Sequence, residues 1–336
     1  RFMDMITILE RLTAAYGPAG QEGEVARVIE ELAAPYCDKI KRDTMGNLIC
    51  RKKGKGPKVM FSAHMDSIGL VATHIEEKGF VRVGAIGGVS PAKVLHTPVR
   101  FADGRSGVVS AQAGVEISKL KISDLFLDVG ASSREEAEKL VQVGDVAIFD
   151  TRLVQLGSRV SAPYLDNRAS CAVQLMAMSM MGETDNDLYF VFSTQEEVGL
   201  RGAKTAAWAI DPDYGVALDV TPADDEPGSK HLVSSVLGGG AAVKVMDGSV
   251  ICHPWMVDKL MTLAQEGNIP AQRDVIRAGG TDGGAIHLTR SGVPTGGISI
   301  PWRYGHSPIE LVDLADLDAC AALVKAFAEC KLEKEC

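Results

Sequence analysis

Apolar residues recur at helical spacing through MDMITILERLTAAY and again in GEVARVIEELAAPY, where Val25, Val28, Ile29 and Leu32 form one stripe. The Gly17-Pro18 break separates these two predicted helices. NLIC and KVMFSA then read as strands, the second of them buried. His64 follows at its carboxyl end, the usual place for chemistry on an open α/β sheet. From about residue 69 to 160 the rhythm changes to short β-type segments divided by Gly, Asp and Lys turns: VATHIEEKGFVRVGAIGG, TPVRFADGRSGVVS, DLFLDVG and VGDVAIFDTRLVQL. Within that stretch SREEAEKLV is the predicted helix, with Ser132 or Ser133 as its cap and acids in its first turn. The α/β alternation then returns. RASCAVQLMAMSM, RGAKTAAWAI, WMVDKLMTLAQEG and ADLDACAALVKAFAECKL read as helices, and LYFVFST, YGVALDV, AAVKV, AQRDVI and TGGISI as strands. The pattern predicts an α/β fold: a mixed open sheet flanked by helices, built from residues 1–68 and 161–336, with a small β-barrel-like domain inserted at 69–160.

Composition narrows the function classes. At 336 residues, 46% hydrophobic and 24% charged, the chain is long enough for a main domain plus a smaller one. A net charge of −9 leaves no electrostatic footprint for nucleic acid, and the basic run RKKGKGPK at 51–58 is short, Gly-broken and expected to be a hairpin or loop between strands. No stretch approaches 18 uninterrupted apolar residues, so a membrane span is not expected. RFMDMITILERL lacks the basic region, apolar core and cleavage site of a secretory signal, which makes a cytoplasmic location the simplest expectation. The seven cysteines, at 37, 50, 171, 252, 320, 330 and 336, form no close-set metal motif and suit a reducing compartment.

Candidate chemistry lies at the ends of the apolar runs. His64, Asp166, Glu197, Asp219 and His306 each stand where a strand-like run stops or a Gly/Pro-containing loop begins, so one fold can gather them at one edge. Asp66, two residues after His64, can accept a hydrogen bond from the ring nitrogen opposite a metal. Asp166 precedes a helix and can be either its cap or a carboxylate spanning two cations about 3.5 to 4 Å apart. Glu196-Glu197 follows the apolar FVFST, which puts two costly charges at the edge of a core unless a cation offsets them. The pairing expected is His64 with Asp219 at one metal and Glu197 with His306 at the other, Asp166 being shared. Zn is the leading choice for such nitrogen and oxygen donors, with Co and Mn chemically permitted. Glu196 is then free to take the proton of a water between the cations as it attacks a carbonyl, and to return it to the departing amine.

AHMDSIG, YLDNRAS, QEEVGLRGA, ALDV and GGTDGGAIHLTRSGVPTGGISIPWRYGHSP together resemble the M42 metallo-aminopeptidases, the glutamyl or deblocking aminopeptidases that include self-compartmentalising tetrahedral enzymes. The resemblance spans essentially the whole chain. It implies a zinc-exopeptidase type of fold and a dizinc or dicobalt enzyme, with His64, Asp166, Glu197, Asp219 and His306 as ligands, Glu196 as general acid and base, and Asp66 as the partner of His64. It also implies dimers that assemble into a dodecamer, with an inserted domain involved in the association and short peptides with a free N-terminus as substrates. Three positions depart from the family pattern: Ser67 stands where an acid commonly follows HMD, and Trp302 and Gly305 replace small and β-branched residues.

In GGTDGGAIH the glycines permit close backbone approach, and Asp282 can organise a substrate-side loop or lie near the free amine, although a simple Gly-rich turn fits equally. Arg303 can contact substrate or form an ordinary ion pair, and His287 on an apolar segment is expected to be packed. A carboxypeptidase, dipeptidase or N-deacylase could use the same cations and base, an Arg clamp favouring the first. The cellulase label borne by some proteins of this family finds no aromatic sugar platform here. A silent assembly protein is the other class of explanation, and all six metal and base positions are chemically intact.

Overall fold

Four parallel strands, Asp187–Ser193, Lys58–His64, Tyr214–Pro222 and Thr295–Arg303, lie side by side and therefore end at one edge of a mixed sheet. The computed structural model describes residues 4–230 and 232–333, so Cys336 lies outside the described residues. Among them the sheet has 11 strands. Lys39–Arg42 and Leu48–Lys52 extend it on one side, and Glu310–Asp313, Arg159–Ala162 and Val154–Leu156 on the other, while Ala241–Met246 and Ala271–Val275 branch from Thr295–Arg303.

The central strands are apolar on both sides because both faces are covered. Along Lys58–His64 the side chains alternate: Val59, Phe61 and Ala63 enter one core, and Met60 enters the other. The first core holds the helices Met5–Ala14, Gly23–Ala33, Leu165–Met180, Pro254–Glu266 and Leu314–Glu329. Phe61 stacks on Phe190 at 5.2 Å and meets Phe327 of the last helix edge-on at 6.3 Å. Arg201–Ile210 packs on the opposite face through Ala206, Ala207 and Ile210. Arg168 is fully buried, and its guanidinium caps the first helix and the turn after it by donating to the carbonyls of Leu12, Ala15 and Gly17.

The insertion closes into a six-stranded barrel in the order Gly69–Ile75, Val81–Ile86, Leu125–Asp128, Ser106–Ala111, Pro98–Phe101 and Val146–Phe149. It encloses its own cluster, which includes Leu70, Val81, Val99, Leu127 and Phe149. Val154–Leu156, grouped with the insertion by the sequence pattern, instead hydrogen-bonds to Arg159–Ala162 at the margin of the large sheet. SREEAEKLV forms only the short helix Arg134–Glu138, capped by Ser133, whose hydroxyl accepts from the Glu136 N–H. The basic run 51–58 leaves one strand and enters another that is separated from it by Asp187–Ser193, so it is a connecting loop and not a hairpin. No helix among the described residues is long and apolar enough to cross a membrane.

Candidate metal centre

The four parallel carboxyl ends deliver the acids and imidazoles to one place. His64 is the last residue of its strand, Glu196 and Glu197 follow Ser193, and Asp219 lies two residues beyond the Ala217–Ser62 pair, level with His64. Asp166 arrives from the start of Leu165–Met180, at a non-helical backbone position, and His306 from the turn after Arg303. Asp166 presents one carboxylate oxygen to each imidazole: Oδ1 lies 3.1 Å from His64 Nε2, and Oδ2 lies 3.2 Å from His306 Nε2. On the His64 side, Glu196 and Asp219 approach Nε2 to 3.7 and 3.8 Å. On the His306 side, Glu197 approaches to 3.6 Å. Donor atoms of His64, Glu196 and Asp219, and of His64, Asp166 and Glu197, form two groups each lying within 4.8 Å.

The far ring nitrogens are already engaged. His64 Nδ1 is 3.2 Å from the Asp66 carbonyl and 3.5 Å from its carboxylate, and His306 Nδ1 is 2.8 Å from the Gly88 carbonyl. With those nitrogens donating, each Nε2 turns a lone pair toward carboxylates, an arrangement that a cation satisfies and a proton satisfies only in part. Buried oxygens Asp166 Oδ1 and Glu197 Oε1 have no hydrogen-bond donor. The donor set of nitrogen and carboxylate oxygen, the shared carboxylate and the orphaned oxygens all fit a pair of divalent cations.

Electrostatics point the same way. Burial, helped by the neighbouring carboxylates and opposed by the imidazoles, holds Glu196, Glu197 and Asp219 well above the ordinary carboxylate range. Burial alone would depress His64 and His306, but the carboxylates override it: His64 is raised well above its ordinary value and His306 to about 10. Asp166 resists burial through the two imidazoles beside it, His306 and His64, which lower it. Without a cation the cluster therefore holds protons among its acids and imidazoles.

Asp66 fixes this centre from below. Fully buried, it accepts the backbone N–H of Glu196 at 3.0 Å and of Glu197 at 3.2 Å, tying that loop to His64. Glu310 plays the corresponding part for Asp166 and His306, and sequence reasoning missed it. Its two oxygens accept the backbone N–H of Asp166 at 2.8 Å and of His306 at 2.9 Å, and burial with the nearby Asp166 charge raises it to about 8. A single acid within the apolar run IELV was the available signal. The insertion also reaches in: besides the Gly88 carbonyl, Lys93 Nζ donates to the Gly305 carbonyl at 2.6 Å. A Cβ at Gly88 would fall 2.6 Å from His306 Nδ1.

Asp282 lies behind the cluster and does not line the cleft. It accepts from the hydroxyls of Ser62 at 2.7 Å and Ser193 at 2.6 Å, joining two parallel strands just before His64 and Glu196. Arg303 is outside the cleft, paired with Asp225 at 2.6 Å. His287 contacts the Gly283 carbonyl away from the acids, as a packed histidine would. Ser67 is buried, and its hydroxyl donates to the Gly17 carbonyl. Trp302 lines the cleft and lies against Gly305, where a Cβ would come within 2.0 Å of the indole; the ring meets His306 edge-on at 6.4 Å. The cleft itself holds about 500 Å³ above the acid cluster.

Residues 46–323 match the family model described as M42 glutamyl aminopeptidase. A curated protein of Acetivibrio thermocellus is 48% identical over 326 residues, covering 96% of this chain and 98% of the relative. The solved structure of an aminopeptidase from the archaeon Desulfurococcus kamchatkensis is 41% identical with a TM-score of 0.93, covering 97% of this chain and 94% of that one. A Pyrococcus horikoshii peptidase, described as able to assemble into a tetrahedron or a large octahedral shell, is 31% identical with a TM-score of 0.87, covering 97% of this chain and 99% of that one.

Proposed function

The chain belongs to the M42 glutamyl aminopeptidase family, and from that premise we propose the following division of labour for a two-metal aminopeptidase acting on short peptides with a free N-terminus. His64 and Asp219 hold one cation, Glu197 and His306 the other, and Asp166 both; the single observation that carries this reading is the Asp166 carboxylate, with one oxygen beside each imidazole. Zn is the first choice for these donors, with Co and Mn sharing the same preference for nitrogen and oxygen. When bound, two divalent cations supply polarisation of the scissile carbonyl and acidification of a water. Glu196, close to His64 and next in sequence to Glu197, takes the proton from the attacking water and hands it to the departing amine. Asp66 orients the His64 ring and holds the Glu196 backbone, and so sets where that proton is received.

Among the described residues that line the cleft none is Arg or Lys, and Arg303 is held outside by Asp225, which favours reading a free amine over clamping a terminal carboxylate. The test uses two peptides of one sequence, one blocked at the amino end and one at the carboxyl end. Release of the first residue from the carboxyl-blocked peptide alone is expected, and only after a metal-depleted sample is reloaded. Cleavage of the amino-blocked peptide would instead favour a carboxypeptidase or deacylase.

The division into a discontinuous catalytic domain and a β-rich insertion, drawn from the sequence at 1–68, 161–336 and 69–160, is supported by the barrel's own apolar cluster, with the second boundary moved to between Phe149 and Val154 by the pairing of Val154–Leu156 in the large sheet. Self-association to dimers, and from them to a dodecamer in which the insertion takes part, is supported by the assembling Pyrococcus relative and by exposed apolar side chains such as Leu156, Ile251 and Leu288. A solution mass measurement decides it. Six cysteines stand as free thiols among the described residues, which suits a cytoplasmic setting.

A further inference from the structure

The cleft has two unlike sides. One is the acid and imidazole cluster. The other is a wall of Leu200, Val220, Pro222, Ile276, Ala278 and Trp302, completed by glycine backbone and by Thr281, whose hydroxyl is already committed to Asp247. Three charged side chains that could otherwise serve this wall do not line the cleft: Arg303 pairs with Asp225, Asp282 sits behind the strands with one oxygen accepting both serine hydroxyls, and Arg277, although flanked by Ile276 and Ala278, is exposed. Trp302 can take its position because Gly305 offers no Cβ.

We propose that the N-terminal residue accepted here is an uncharged, leucine- or methionine-sized side chain, read by this apolar wall. The proposal rests on the aminopeptidase reading above and deepens it. A lysine ammonium seated on the wall would lose its water and find, among the residues lining the cleft, no carboxylate other than Asp166, Glu196, Glu197 and Asp219 of the metal centre; a glutamate side chain would lose its water and face those acids as well. An aliphatic side chain removes both its own surface and that of Leu200, Pro222, Ala278 and Trp302 from water. The 500 Å³ cleft has room for such a residue together with the start of the next.

The experiment has a turnover arm and a binding arm. In the first, the metal-loaded enzyme is given the p-nitroanilides of leucine, lysine and glutamate; kcat/KM for leucine is expected to exceed both others by on the order of 100-fold. In the second, leucinamide, lysinamide and glutamic acid amide are titrated calorimetrically into the metal-loaded Glu196→Gln protein, and the same order of affinity is expected. Lysine or glutamate matching leucine in either arm overturns the proposal, and a glutamate preference abolished by Arg277→Ala would assign the selectivity to that arginine instead. Absence of turnover with the leucinamide preference intact sinks the hydrolytic reading and upholds the wall. Two variants locate the selectivity. Trp302→Ala is expected to reduce the leucinamide advantage about 10-fold with metal content unchanged, and Ile276→Glu to move the preference toward lysinamide. Selectivity unaltered in both variants overturns the role given to the wall.

Discussion

At the scale of single residues the acid and imidazole cluster is held by carboxylates that bind its backbone from behind. Glu310 needs both of its oxygens, one for the Asp166 N–H and one for the His306 N–H. A glutamine there keeps one acceptor and turns an NH2 group toward the other N–H, leaving a buried donor unsatisfied. Glu310→Gln is therefore expected to weaken cation binding by about 10- to 100-fold in chelator competition; wild-type affinity would show that these two bonds do not set the ligand geometry. What was legible at this scale was whatever lay beside a strand end in sequence, such as Asp66 two residues after His64. The bonds from Asp66 to the backbone of Glu196 and Glu197, and from Asp282 to Ser62 and Ser193, join segments more than a hundred residues apart in all but one case, and no local pattern announces them. Glu310 was passed over for a related reason: its partners are backbone groups of residues singled out for their side chains.

Among elements, the buried parallel strands were the clearest signal, because runs such as KVMFSA and LYFVFS are apolar on both faces and their carboxyl ends coincide once the strands pair. Edge strands were harder. Lys39–Arg42 is KIKR, largely exposed, and carries no alternation to read. The insertion was visible as a change of rhythm, but its contact with the catalytic edge was not, since Gly88 acts through a carbonyl oxygen and through the side chain it lacks. Gly88→Ala would drive a methyl against His306 Nδ1, the nitrogen whose contact with the Gly88 carbonyl leaves Nε2 free for metal. The expected result is loss of the cation on the Glu197 and His306 side, seen as a fall from two metals to one per chain with unchanged circular dichroism. Retention of two would mean that the barrel merely abuts the centre.

For the molecule as a whole, the cluster makes stability depend jointly on pH and metal. In the metal-free protein His306 is raised from 6.5 to about 10, so its protonated form stabilises the fold fully below pH 6.5, and that contribution is lost as pH climbs through about 10. His64 shifts in the same sense, and Glu196, Glu197 and Asp219, raised from their ordinary values, also disfavour the fold increasingly as they ionise. Asp166 is lowered, so its contribution is present above its ordinary value of 3.8 and lost as pH falls below it, on the acid side only. Metal-free protein is thus expected to lose Tm between about pH 6.5 and pH 9, and added zinc to restore more Tm at the upper end than at the lower. An equal shift at both would contradict this electrostatic account. The most direct test of the two-cation centre is metal analysis paired with turnover in wild type, Glu196→Gln and Asp166→Asn. Wild type should carry two divalent ions per chain; Glu196→Gln should keep both and lose about 100- to 10,000-fold in turnover, while Asp166→Asn loses the ions themselves. Equal metal loss in both variants, or full activity in a preparation free of divalent ions, would contradict it.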